Sequence, residues 1–233
     1  PHIKGMYKLK QGKFIDISKK LPDIGFNNLL ITNDYIYAAG ASDLDFKLKN
    51  RVKDDNIINE VYVSNNDGQN WYVTLKNNPF NSSVKKIKQH PKNSSVFYVA
   101  TKTGIYLSTD KTKTWNSQNK NLNFLNIGDM VITNNYVYVG TLGGGVYSGK
   151  INNNFSITWN NSSGPRPKIH NIIIKTDPKD SDILYTSSYP GGVFKSINNG
   201  ETWSEINFAL PSFEVDYPLK QGYYSLEIDP NNS

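Results

Sequence analysis

Ser196-Ile-Asn-Asn-Gly-Glu-Thr-Trp203 returns, with substitutions, as Ser64-Asn-Asn-Asp-Gly-Gln-Asn-Trp71 and Ser108-Thr-Asp-Lys-Thr-Lys-Thr-Trp115. Trp159 completes a series, Trp71, Trp115, Trp159 and Trp203, with a constant spacing of 44 residues, and these are all the tryptophans of the chain. A fixed period of this length marks an array of small supersecondary units, none able to bury its apolar face alone. Inside the octapeptide the residue types have a mechanical purpose. Asn66, Asp110 and Asn198 can accept hydrogen bonds from backbone N–H groups further along the turn, and Gly68 and Gly200 can adopt positive φ. The tryptophan that follows can lay its ring over the hairpin and join one unit to the next.

Working outward from the last octapeptide, Ile169 to Lys175 reads as a buried strand and Thr176-Asp-Pro-Lys-Asp-Ser-Asp182 as a turn cluster. Ile183 to Ser187, Val193 to Ser196 and Thr202 to Ile206 supply three more strands, with the octapeptide turn between the third and fourth. Four short strands per period make a propeller blade. The expected fold is therefore all-β, a β-propeller of four-stranded antiparallel blades forming one domain over residues 1–233. A half blade spans 1–20, repeat units span about 27–76, 84–120, 127–164 and 169–207, and a partial blade spans 223–233, so that about five blades are present, as a whole or as part of a larger propeller. Met6 to Leu9 and Phe14 to Ile17 read as third and fourth strands joined by Lys10-Gln-Gly-Lys13, and Tyr224 to Ile228 as a first strand. Two departures stand out: Thr112 replaces the glycine of the octapeptide, and the third unit carries a four-residue insertion between Ser148 and Trp159, through Ile151-Asn-Asn-Asn154.

The pattern Ser-x-Asp-x-Gly-x-Thr-Trp resembles the Asp-box, or BNR repeat, of propellers in sialidases, xyloglucanase-type glycoside hydrolases, sortilin-like receptors and photosystem assembly factors. The resemblance makes Ser64, Asn66, Gly68, Trp71, Ser108, Asp110, Trp115, Trp159, Ser196, Asn198, Gly200 and Trp203 structural box residues, on the face opposite the usual ligand site. The box is a turn motif shared by enzymes and non-enzymes, so it speaks for fold and not for activity. Sialidases of this type hold a sialic carboxylate with three arginines, because the guanidinium fork suits a carboxylate. This chain has two, Arg51 and Arg166, in unrelated loops. Sortilin-like receptors carry a Cys-rich companion module, and no match to the catalytic Asp motif of the xyloglucanases is found.

Composition narrows the classes further. The 233 residues contain no Cys, which excludes disulfides, thiolate metal sites and Cys nucleophiles together. No apolar run approaches the roughly 18 residues of a spanning helix, so membrane insertion is not expected. The chain opens Pro1-His2-Ile3, which reads as a processed or trimmed product. The net charge of +6 comes from lysines scattered through every unit, the pattern of a solvated face and not of a nucleic-acid stripe. His90-Pro91 aligns in the repeat with Asp177-Pro178, which makes His90 a turn residue; with only His2 and His170 besides, no metal site and no histidine triad is expected. Thr141-Leu-Gly-Gly-Gly145 and Tyr189-Pro-Gly-Gly192 join strand to strand without a helix N-terminus, so they read as tight connectors and not as phosphate cradles, and no cofactor is expected.

Two stretches project to the expected ligand face. One is Ala41 to Glu60, with Asp43, Asp45, Asp54, Asp55 and Glu60; the other is Asn207 to Gly222, with Glu214 and Asp216 beside Phe208, Phe213 and Tyr217. Paired carboxylates beside aromatic rings suit acid/base cleavage of a stacked sugar, which makes Asp43, Asp45, Glu214 and Asp216 the catalytic candidates. Tyr189, Arg166, Phe213 and Tyr217 are the candidates for ligand binding without chemistry. Six Asn-x-Ser/Thr sequons, at Asn81, Asn93, Asn154, Asn160, Asn161 and Asn231, all fall in expected turns or connectors, where surface acceptors belong. These observations are read as a non-catalytic binding or assembly module outside the cell or at its surface, with a protein or glycan partner. The alternative is a glycan-active hydrolase using the acids of the two long loops.

Overall fold

The computed structural model describes residues 6–18, 20–21, 25–41, 61–74, 80, 82, 84–161, 163–164, 170–189, 192–206 and 226–229. Its elements are β-strands throughout. The chain falls into two compact units, Pro1–Ile87 and Lys88–Ser233.

In the first unit, β1 (Tyr7–Lys10) and β2 (Lys13–Asp16) form a two-stranded hairpin in which Lys10 faces Lys13. Gln11 and Gly12, both at positive φ (49° and 74°), make the two-residue turn whose twist matches the strands it joins. A four-stranded sheet follows in simple order from β3 (Gly25–Ile31), β4 (Ile36–Ala41), β5 (Val61–Ser64) and β6 (Tyr72–Val73). The boundary between the units lies within β7 (Val84–His90), which opens the next sheet with β8 (Asn93–Thr101), β9 (Gly104–Ser108) and β10 (Asn116–Ser117). The third four-stranded sheet comprises β11 (Ile127–Ile132), β12 (Tyr136–Thr141), β13 (Gly145–Ile151) and β14 (Ile157–Trp159). The fourth comprises β15 (His170–Thr176), β16 (Leu184–Tyr189), β17 (Gly192–Ser196) and β18 (Ser204–Glu205).

Burial within a blade runs along the strand order. The middle strands are covered on both faces, so β9 is buried at every residue and β8 from Val96 onward, while outer strands β10 and β18 are exposed. In the second unit the core lies between sheets. One cluster joins Tyr98, Ile105 and Leu107 of the second blade to Met130, Val139, Ile157 and Trp159 of the third. Another joins Tyr138 and Val146 of the third to Ile174 and Leu184 of the fourth.

Innermost strands are stitched by a device that the repeat did not advertise. In β3 a bulge between Phe26 and Asn28 lets the Asn28 Oδ1 accept the Ile87 N–H at 2.9 Å. In β11 a bulge between Ile127 and Asp129 does the same, with Asp129 Oδ2 accepting the Ile174 N–H at 3.3 Å. A short acceptor at the bulge thus satisfies an N–H of the following blade's first strand.

Two expectations need correction. Leu226 to Ile228, the described part of the expected last strand, belong to no sheet; Lys175 Nζ meets Glu227 Oε1 at 2.8 Å, but a strand exists only where a neighbouring edge takes up its backbone groups. In the third unit, as the departure from the repeat allows, the insertion takes the place of an octapeptide turn. β13 and β14 extend the ladder through Gly149–Trp159, Lys150–Thr158 and Ile151–Ile157, and Asn152 to Ser156 close the longer hairpin. The fourth strand of the last unit is shorter than expected, Ser204–Glu205.

Candidate binding face

Strands of a blade alternate in direction, so the turns after the first and third strands emerge at one end and the remaining connections at the other. The octapeptides lie at the first end. In each, the serine Oγ donates to the Asx side chain two residues on and accepts a backbone N–H four residues on: Gly68 N–H to Ser64 at 2.8 Å, Thr112 N–H to Ser108 at 2.9 Å, Gly200 N–H to Ser196 at 3.0 Å. The Asx Oδ1 accepts the N–H four residues further: Asn70 to Asn66 at 2.9 Å, Thr114 to Asp110 at 2.9 Å, Thr202 to Asn198 at 3.0 Å. Each turn also ties to the chain before it or to its own blade's first turn, as when Lys111 N–H donates to the Ser95 carbonyl and Asn199 N–H to that of Asp182. Burial pulls the Asp110 carboxyl up, yet the hydrogen bonds from Thr114, Ser108 and Lys113 outweigh it and hold the group below the usual carboxylate range.

Three of the four tryptophan indoles, all but that of Trp115, reach back toward the preceding blade. Trp71 Nε1 donates to the Ile17 carbonyl at 2.7 Å, Trp159 Nε1 to Gln118 O at 2.6 Å, and Trp203 Nε1 to Ser163 Oγ at 3.2 Å. Two buried tyrosines reach forward: Tyr98 donates to the Phe155 carbonyl and Tyr138 to Asn199 Oδ1, both at 2.7 Å. Burial pushes both phenols well above their usual range. Tyr98 and Tyr138 were not singled out in the sequence; their common distance of three residues before Thr101 and Thr141 is the signal available there.

His90 sits at the same end, 6% exposed. Its Nδ1 accepts the Lys92 N–H at 3.2 Å, which leaves the proton on Nε2, 3.2 Å from the Asn134 carbonyl. Burial holds its pKa below the usual histidine value. Asp177 Oδ1 accepts the Lys179 N–H at 2.8 Å in the same way, so imidazole and carboxylate close equivalent turns. Among the described residues no group of three or more His, Cys, Asp or Glu is placed to hold a metal ion.

The opposite end is built differently. Thr101 and Thr141, both fully buried, donate to the carbonyls of Gly104 and Gly145 at 2.9 Å and close the connections that follow their strands. Asn119, leaving β10, lies across its blade's connection: Nδ2 donates to Thr103 O at 2.9 Å and Oδ1 accepts the Ile105 N–H at 2.8 Å. The same link continues into the next blade, where Leu142 N–H donates to Asn126 O at 2.8 Å. Between these anchors, Phe124 and Leu125 stand 44% and 38% exposed. The Phe124 ring rests on bare backbone, since a Cβ on Gly144 would lie 2.3 Å from it. A rigid platform thus presents an aromatic and an aliphatic side chain beside the glycine-rich connection. The sequence carried one sign of this, two adjacent apolar residues in a connector that fits no strand period.

Of the residues singled out from sequence, Tyr189 ends β16 at this same end of its blade, and its side chain lies outside the described residues. Asp43, Asp45, Asp54, Asp55, Glu60, Arg51, Arg166, Phe208, Phe213, Glu214, Asp216, Tyr217, Asn81 and Asn231 also lie outside them. Asn93, Asn154, Asn160 and Asn161 are described, all at or near blade turns.

Antiparallel four-stranded sheets repeating in chain order, each a simple meander, are the blades of a β-propeller. Solved structures agree. The extracellular domain of a protein assigned as a hybrid two component system from B. thetaiotaomicron matches over 86% of this chain and 27% of its own, at 16% identity and a TM-score of 0.59. The extracellular domain of a one component system assigned in the same organism matches over 87% and 25%, at 13% identity and a TM-score of 0.59. An ancestral GH74 enzyme matches over 78% and 24%, at 20% identity and a TM-score of 0.56. The chain thus spans about a quarter of the length of these structures, which share its fold. No family model and no curated protein sequence matches it.

Proposed function

We propose that this chain is a binding or assembly module of the Asp-box propeller class, working outside the cell and offering the Phe124–Leu125 end of its blades to a protein or glycan partner. The observation that carries this reading is the Phe124–Leu125 pair, two adjacent apolar side chains left part-exposed against the Gly144 backbone, beside connections closed by Thr141 and Asn126. Extracellular sensor domains of like fold favour the location. Likeness to a GH74 enzyme favours, as a second reading, glycan hydrolysis by Asp43, Asp45, Glu214 or Asp216.

A glycan array probed with the labelled chain, run beside turnover of xyloglucan oligosaccharides, separates the two. Saturable binding without turnover, weakened at least tenfold by Phe124→Ala, is the expected result. Turnover abolished by Asp43→Asn or Glu214→Gln would move the chain to the hydrolases. No glycan binding of any kind would leave a protein as the partner.

A further inference from the structure

We infer that Asn154, and not the neighbouring sequons, is the acceptor of an N-linked glycan on this protein; the inference rests on the extracellular reading above. A sequon suits a glycan in the folded state where its asparagine is exposed, its amide nitrogen is not spent on the fold and its third residue is not tied to another blade. That requirement sorts the described sequons.

At Asn160, the nitrogen itself is engaged, since Nδ2 donates to Ser148 Oγ at 3.1 Å and Ser148 is buried. The sequon of Asn161 ends in Ser163, whose hydroxyl donates to the Gly200 carbonyl and accepts the Trp203 indole N–H, while its backbone bridges Val146. Asn93 makes the same Oδ1 bond to the N–H two residues on that Asn154 makes, but it is half-buried, in the turn pinned by Lys111.

Asn154 is exposed. Its Oδ1 accepts both the Ser156 N–H at 3.1 Å and the Ser156 hydroxyl at 2.7 Å. An N–H donor fixes which side-chain atom is oxygen, so Nδ2 is turned away from the loop toward solvent. The loop itself is held firmly. Tyr98 donates to the Phe155 carbonyl, His90 packs edge-on against the Phe155 ring at 5.2 Å, and Asn152 Nδ2 bonds Ser156 and Thr158 across the base. It is also the insertion of the third unit, so a glycan on its tip disturbs no turn that the repeat needs.

In the transfer, Asn154 Nδ2 bonds to the anomeric carbon of a lipid-phosphate-linked sugar. The bond from that carbon to phosphate oxygen breaks, the lipid phosphate leaves with the electron pair, and one amide proton passes to a base of the transferase.

The test is secretion of the chain, behind a supplied leader, from a eukaryotic host that glycosylates asparagine. Peptides are mapped after enzymatic glycan release in ¹⁸O water, which marks each former site as labelled Asp. Label at Asn154 in most molecules is expected, with loss of one glycan mass in Asn154→Gln and in Ser156→Ala, and retention in Ser156→Thr. An unlabelled Asn154 peptide in folded, secreted protein, or label concentrated at Asn160 or Asn161, overturns the inference. Because the leader imposes export, that failure speaks about the acceptor, while absence of the native protein from the cell exterior would speak about the location.

Discussion

The octapeptide turns at Ser64 and Ser108 share the serine and Asx backbone hydrogen bonds and differ in the residue at the tightest point. Gly68 has φ of +81°, following Asp67 at +58°; Thr112 has φ of +70°, following Lys111 at +59°. A β-branched residue in the left-handed region costs about 1–2 kcal/mol relative to its ordinary conformations. Thr112 is also fully buried, and its Oγ1 has no hydrogen-bond partner. The serine and Asx bonds therefore dictate the turn, and the residue within it submits. Gly68 differs in a second respect: a Cβ there would sit 2.6 Å from the Ile17 Cβ and 3.2 Å from its carbonyl oxygen. Ile17 follows the β1–β2 hairpin, so that close approach is what seats the hairpin on its neighbour. At Gly200 the nearest obstacle is Leu184 Cδ1 at 3.3 Å, the end of a side chain.

Substituting alanine at Gly68 breaks the comparison most severely. Positive φ and the overlap with Ile17 together are expected to cost about 3 kcal/mol, read from chemical denaturation. Gly200→Ala meets only the conformational penalty and is expected to lose about 1 kcal/mol. If the two glycine variants fall equally, hairpin seating is not what distinguishes them.

The reverse exchange, Thr112→Gly, relieves the left-handed strain and removes a buried unpartnered hydroxyl. Greater freedom of the unfolded chain and lost methyl contacts oppose this, leaving an expected gain of about 1 kcal/mol. A lower thermal midpoint in this variant would mean that Thr112 packing outweighs its strain.

The smallest effect concerns acid. Asp110 has a folded pKa below its unfolded value, so its contribution is fully present above the unfolded pKa and is lost as pH falls through the lowered folded one. At the same position the other two turns carry Asn66 and Asn198, whose amides do not titrate. Thermal midpoints measured downward from about pH 6 should therefore fall less steeply below about pH 4 in Asp110→Asn than in the parent. Parallel curves for the two proteins would remove the carboxylate from the acid response.

Much of the fold was legible because its causes are local. Ser196, Asn198 and Gly200 lie within four residues of their partners, so their spacing alone prescribes the turn, and the 44-residue period then counts the blades. The alignment of His90 with Asp177 likewise reflects a bond to the backbone two residues on. The binding end was less legible. Acidic and aromatic loop residues drew attention by composition, whereas Phe124 and Leu125 are made conspicuous by Gly144, twenty residues away from the phenylalanine.

By itself, then, the sequence determined the repeat, the strand order and the turn chemistry, since each follows from neighbours along the chain. Tertiary structure alone decided that Thr112 is strained, that Gly68 is packed as well as bent, that the insertion before Trp159 becomes a hairpin tip anchored by Tyr98, and that Leu226 to Asp229 stay outside any sheet. In each of these the deciding partner lies many residues distant or on another blade, and no periodicity of 2 or of 44 records which distant side chain or free edge will be waiting there.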